Sequence, residues 1–243
     1  MDIGDLVVVF GLAGLAAFTQ SLSGFGFSLL LVPPLALAFG ARDAVVVANM
    51  LSVLVNIPAI IVWWQRIVWR LGGRLLIGSL LGMPVGLVVL LGVEPRVLKL
   101  VIAGTVLLST VVIWRGVRVH RQRTAYDVAA GFVSGVLNTS TSMSGPPVVL
   151  YLQGRGLAPD PFRATLAALF FVGSLIAAGL FAAGGAMDHD TTTLAAAGTP
   201  GLLAGWWLGT VAYGRLGAGR FRGVVIAVLV LSAVSAGVSA VVG

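Results

Sequence analysis

LNTSTSMSGPP, residues 137–147, interrupts a chain that is otherwise apolar for long stretches. Seven of the eight residues from 138 to 145 are polar or glycine. Such a run cannot face lipid, because hydrocarbon offers no partner for exposed N–H and C=O groups. Irregular backbone at membrane depth must be enclosed by protein or line a cavity. A similar interruption, FTQSLSGFGFSLLLVPP, occupies residues 18–34. Both are followed by a Pro-Pro pair and then by more apolar sequence.

The composition around the breaks places the chain in a membrane. It has 243 residues, 58% of them hydrophobic and only 9% charged, with a mean hydropathy of +1.07. A soluble domain carries roughly 25% charged residues. Apolar runs fall at 5–22, 24–40, 43–63, 73–92, 96–115, 126–138, 142–154, 161–184, 192–214 and 220–242. We label them A to E and A′ to E′. A membrane helix needs about 20 apolar residues. C, D, E, C′, D′ and E′ meet that length, while A, B, A′ and B′ are short or broken. The prediction is an all-α polytopic membrane protein of eight to ten segments, some broken or re-entrant. It forms a single membrane domain over 1–243, without a soluble domain. Asp2 and Asp5 stand where a secretory signal needs positive charge, so A is expected to be a retained segment.

The order of segments repeats. Each half runs apolar, then a Ser/Gly-rich break, then Pro-Pro, then a stretch ending in Gly40 or Gly156. The reading is a duplication, with repeat 1 over about 1–116, a basic cytoplasmic linker at about 115–125, and repeat 2 over about 126–243. Five segments per half make an odd number of crossings whether A–B spans or turns back, so the repeats are expected to be inverted. The charges agree. One side collects Arg66, Arg70, Arg74, Arg115, Arg118, Arg121, Arg123, Arg155, Arg163, Arg215, Arg220 and Arg222. The other collects Arg42, Arg96, Lys99 and six of the eight acids. Basic residues gather on the cytoplasmic side, so both termini are expected outside, in a bacterial inner membrane. The net charge of +7 reflects this bias rather than a nucleic-acid surface.

Much chemistry is excluded. The chain has no Cys, and its two His residues fall in loops, so no metal site or hydrolytic triad assembles at depth. No cofactor is expected. The long apolar runs lack interior carboxylates, which argues against a proton pump. The breaks remain, polar but uncharged. A helix start presents unpaired N–H groups and a partial positive charge, and Pro146 suits a first helical turn. Two facing starts would make an anion site without formal charge. The candidate lining is Gln20, Ser23, Gly24, Phe25, Gly26 and Ser28 from one half, with Asn138, Thr139, Ser140, Ser142, Ser144, Gly145 and Pro146 from the other. Close helix packing would equally explain Ser23, Gly24 and Gly26, and Phe25 serves either as packing or as a gate. Asn49 and Asn56, seven apart on C, would line the pathway or bond a neighbouring helix.

SGFGFSLLLVPPLALAFG early in the chain and SGPPVVLYLQGRG after its midpoint resemble the TauE/SafE family of membrane transporters, and the resemblance covers nearly the whole chain. Phe25 and Phe27 interrupt a first break that is usually richer in glycine. The resemblance implies transport of small sulfur oxyanions or organosulfonates such as sulfite, often in the export direction. A membrane potential, negative inside, is worth about 2.3 kcal/mol per charge per 100 mV. That alone drives a monovalent anion outward by roughly 50-fold. The same pore would serve an anion channel. A non-transporting scaffold would leave the polar breaks without a use. The expected partners are a small anionic substrate and the bilayer, and the oligomeric state is left open.

Overall fold

The computed structural model describes residues 3–115 and 123–215. Nine α-helices follow one another there: α1 Ile3–Ser23, α2 Phe27–Ala38, α3 Ala41–Trp63, α4 Trp69–Gly92, α5 Pro95–Arg115, α6 Thr124–Thr141, α7 Gly145–Gly154, α8 Pro159–Ala183 and α9 His189–Arg215. A 3-10 turn, Trp64–Arg66, links α3 to α4. No strand occurs among the described residues. The protein is an all-α membrane protein. Segments A to D′ each coincide with one helix, while E′ and most of the 115–125 linker lie outside the described residues.

Helices α1, α4 and α8, and α3 with the turn that follows it, are long and apolar enough to cross a membrane. In contrast, α2 has 12 residues and α7 has 10. At 1.5 Å per residue they reach about 15–18 Å, half of a hydrocarbon core. These half-length helices are the segments that follow the two breaks.

Two close pairings hold the fold together, and each joins helices from different halves of the chain. Helix α1 lies along α9, and α4 lies along α6. Both seams are made of glycine. A Cβ on Gly205 would stand 2.0 Å from the Gly14 carbonyl oxygen, and one on Gly201 would stand 2.1 Å from that of Phe10. On the other seam, a Cβ on Gly82 would meet the Phe132 oxygen at 2.1 Å, and one on Gly135 would meet the Ser79 oxygen at 2.0 Å. Lipid supplies no hydrophobic drive for helix association, so small residues that let backbones touch are the main source of contact energy. Contacts advance in the same direction along both members of each seam, so each pair is parallel. Gly78, Gly82 and Gly86 on α4 recur as Gly201, Gly205 and Gly209 on α9, each 123 positions later. Helices α3 and α8 pack against each other between the seams.

Charged groups sort to the two ends. At one end Arg66 pairs with Asp160 at 3.7 Å. At the other, Arg42 donates to the Leu91 carbonyl oxygen. Asp188 starts α9 there: its Oδ1 accepts from the Thr191 N–H at 2.8 Å, and this bonding holds its carboxyl below the usual range.

Replacing Gly82 with Leu is expected to separate α4 from α6, because overpacking a close contact costs about 1–3 kcal/mol or more. Gly73→Ala, where an added Cβ meets nothing within 4 Å, is expected to be neutral. Thermal unfolding of both variants in detergent checks the contrast.

Candidate functional site

The first break begins where α1 ends. The Gly24 N–H bonds the Gln20 carbonyl oxygen at 2.7 Å, and Gly24 and Gly26 then take φ of +82° and +98°. Such left-handed backbone suits glycine, which has no Cβ to clash. Gly26 offers no side chain to cap α2. Gln20 supplies the acceptor instead, its Oε1 taking the Phe27 N–H at 3.2 Å. The Gln20 Nε2 donates to Asn56 Oδ1 at 3.0 Å, and Asn56 Nδ2 donates to the Ser52 carbonyl at 2.7 Å. The Ser23 hydroxyl bonds within the turn, to the Thr19 and Phe25 carbonyls.

The second break follows the same plan with different residues. The Ser142 and Met143 N–H groups close α6 on the Asn138 and Leu137 carbonyls. Ser142 takes the left-handed φ of +58°, an uncommon conformation for a residue with a Cβ. Helix α7 then starts at Gly145. Pro146 and Pro147 lack N–H groups, so this helix start offers fewer backbone donors than the first.

The two breaks meet. Ser28 Oγ lies 3.3 Å from Ser142 Oγ. Around them a small space of about 20 Å³ is lined by Gln20, Gly26 and Ser28 from one half and Ser142, Ser144 and Gly145 from the other. A larger cavity of about 110 Å³ adjoins the first break, with Gln20, Gly24, Asn56, Thr210 and Arg163 among its walls. Gln20 lines both.

Other candidates sit elsewhere. Thr139 donates to the Met83 carbonyl across the α4–α6 seam at 2.7 Å, and Ser140 donates to Val136 within its own helix. Asn138 is 3% exposed, and its Nδ2 lies 3.3 Å from where a Cβ on Gly173 of α8 would be. Phe25 is buried, and neither Phe25, Ser23 nor Pro146 lines these two spaces. Asn49 is fully buried and neither polar atom of its side chain has a hydrogen-bond partner. Among the described residues no group of His, Asp and Glu is placed to hold a metal.

Two features escaped the sequence reading. Arg163 is not in a loop. Pro159, Asp160 and Pro161 form the first turn of α8, which carries Arg163 to the cavity wall. Asp127 is fully buried in α6, bound by Arg74 at 3.1 Å, by Arg155 at 3.2 Å and by the Tyr151 hydroxyl. This cluster ties the end of α7 back to the start of α6. Together with the Ser134 hydroxyl, which donates to the Ser144 carbonyl at 2.8 Å, it holds the second break as a closed hairpin.

Residues 9–236 match the family described as Sulfite exporter TauE/SafE. The chain belongs to the TauE/SafE family. No curated protein and no solved structure matches it. Membership makes this TauE/SafE protein a multi-pass membrane transporter, in a family of exporters of sulfur anions. The Arg163 cavity and the two glycine-bearing breaks therefore belong to a transporter.

Asp127→Asn is expected to destabilise this TauE/SafE protein strongly. Losing one partner of a buried ion cluster leaves the other charges uncompensated, at about 3–5 kcal/mol. Thermal unfolding in detergent measures the loss, and a variant that melts like the parent would show that the cluster does not hold the hairpin.

Proposed function

We propose that this protein exports a small sulfur oxyanion or organosulfonate, such as sulfite, through a site between its two breaks. One observation carries the reading: breaks far apart in sequence converge, Ser28 against Ser142, in one small polar space beside a cavity containing an arginine. The donors present suit an oxyanion, namely two hydroxyls, the Gln20 amide and a guanidinium. Gln20, Gly24, Gly26, Ser28, Ser142, Ser144 and Gly145 form the substrate path in this reading. Asn56 lies on its cavity side, and Asn49 lies deeper on the same face of α3.

The halves act as inverted repeats. Several observations support this. Helix α1 runs with α9 and α4 runs with α6, whereas the turn at Trp64–Arg66 reverses the chain between α3 and α4. The glycine triads on α4 and α9 occupy corresponding places. Each short helix returns toward the end from which its hairpin entered, as Tyr151 does in reaching Asp127. The α1–α2 and α6–α7 hairpins are thus re-entrant from opposite sides. The Arg66, Arg74 and Arg155 end is cytoplasmic, in an inner membrane, with both termini outside. The walls of the 110 Å³ cavity include Val62 and Trp63, close to Arg66 at the end read as cytoplasmic, a placement that suits export. A space of about 20 Å³ between the breaks has room for about one water. It is too narrow for a hydrated anion, which favours a carrier over an open channel.

Purified protein in proteoliposomes under an imposed potential is expected to show saturable flux of sulfite or a small sulfonate above chloride. Ser28→Ala combined with Ser142→Gly removes both hydroxyls while suiting the left-handed backbone at 142. Hydrogen bonds to a charged group are worth about 1.5–3 kcal/mol, so this variant should lose roughly 10- to 100-fold in apparent affinity. No flux of any anion from folded protein would reject the reading, and unaltered affinity in the double variant would reject the site.

A further inference from the structure

Asn49 and Asn56 lie seven residues apart on α3, and their surroundings differ. Asn56 is bonded at both polar atoms: its Oδ1 accepts from Gln20 Nε2 at 3.0 Å and its Nδ2 donates to the Ser52 carbonyl at 2.7 Å. Asn49 is 0% exposed, and no protein group bonds its Oδ1 or its Nδ2. Buried polar side chains nearly always have a partner, and leaving one without is unfavourable. Helix packing would account for an asparagine that bonded a neighbouring helix. Asn56 does so through Gln20 of α1, whereas Asn49 bonds none. An apolar side chain would fill the position without that penalty, as Val45, Val46, Val47 and Ala48 do beside it.

Position gives the unbonded amide a use. Residues 49, 52 and 56 fall on one face of a helix with 3.6 residues per turn. Asn56 lines the 110 Å³ cavity, together with Ala59, Val62 and Trp63 further along α3. Ser52 lines the 20 Å³ space between the breaks. At 1.5 Å per residue, Asn49 stands about 4.5 Å past Ser52, on the side away from the cavity. Arg42, seven residues earlier again and so on the same face, lines a space of about 340 Å³ at the opposite end of α3. Between Arg42 and Asn49 that face carries Val45 and Val46, both buried. One face of α3 thus runs from cavity to constriction to an unbonded amide, and then to buried valines.

We propose that Asn49 is the exit-side ligand of the transported anion: its Nδ2 donates to the substrate once it has passed Ser28 and Ser142, on the side of the constriction opposite the cavity. The inference rests on the transport reading above and adds a second station and the order in which the stations are met. An amide nitrogen donates two hydrogen bonds and carries no formal charge. It therefore suits an anion that must be held and then released, because passage requires binding weak enough to leave. Asn56 has a different task, bracing Gln20 as Gln20 caps α2.

Asn49→Val and Asn49→Ala bracket the size of the side chain, and each removes a polar group that nothing in the fold bonds. At least one is expected to melt no earlier than the wild type in detergent, whereas Asn56→Ala, which breaks the bonds to Gln20 and Ser52, melts earlier. Flux in proteoliposomes is then measured with radiolabelled sulfite or methanesulfonate, whichever the wild type carries faster. Both Asn49 variants are expected to lose roughly 10- to 100-fold in kcat/KM, the loss of a hydrogen bond to a charged group. The chain has no cysteine, so Asn49→Cys and Ala59→Cys each offer one thiol to a membrane-impermeant, positively charged methanethiosulfonate. The two are expected to react from opposite sides of the membrane. An unchanged kcat/KM in both Asn49 variants overturns the inference and leaves the transport reading standing. So does early melting of both, because the amide then has a structural task. Labelling of Asn49→Cys from the same side as Ala59→Cys, or from neither side, overturns it as well. A wild type that moves neither anion defeats the transport reading and this inference with it.

Discussion

Polar backbone survives at membrane depth only where protein walls exclude the hydrocarbon, and the rest of this architecture follows from that constraint. The turns at Gly24–Gly26 and Ser142–Ser144 leave helix ends with unpaired groups in mid-chain. Each is met locally: Gln20 caps α2, Ser23 folds into its own turn, and the α6 carbonyls take the N–H groups of Ser142 and Met143. Each is then enclosed by long helices, α3 and α8 on one side and the α1–α9 and α4–α6 seams on the other. The seams achieve their tightness through missing side chains. With backbones in contact, α1 and α6 cannot drift away from their partners and expose the turns to lipid.

Electrostatics are arranged by the same economy. Asp127 is fully buried, yet it sits among Arg74, Arg155 and Tyr151, so its charge is matched where it lies. Arg155 also lies over the Tyr151 ring, 5.6 Å from its centre, a geometry that favours a cation. These groups fix the far end of the α6–α7 hairpin and leave its turn lined by hydroxyls. Arg163 stands apart from that cluster, at the other hairpin, where the cavity is.

Much of this was legible in the sequence. The polar run from Asn138 to Ser144 contains the second break, but Asn138–Thr141 proved to be the last turn of α6 and only Ser142–Ser144 leave the helix; the short segments around it marked α6 and α7 as a broken pair. The charge bias grouped Arg74 with Arg155, and both bind Asp127. What escaped reading was three-dimensional. Arg163 was counted only among the basic residues of one side, but proline is tolerated in a first helical turn, and α8, starting at Pro159, carries Arg163 to a cavity wall. The glycine triads on α4 and α9 passed unnoticed in a chain with 33 glycines, because only the partner's backbone reveals which glycines must lack a Cβ. The hydroxyls of Thr139 and Ser140 belong to a polar run, yet they bond carbonyls of helix backbone. Periodicity cannot say which polar face of a helix meets a cavity and which meets a neighbouring carbonyl.

The crossed pairing of the seams has a mechanical consequence. Helix α1 is locked to α9 and α4 to α6, so the stiff units of the molecule are not the two halves of its sequence. Each stiff unit is a composite, a helix of a broken pair from one half fused to a long helix from the other. A hinge in this protein must run between the composites, past α3 and α8, and neither half severed from the other would carry a complete unit. The two halves are interlocked like clasped hands, each laying its broken helix along a helix supplied by the other.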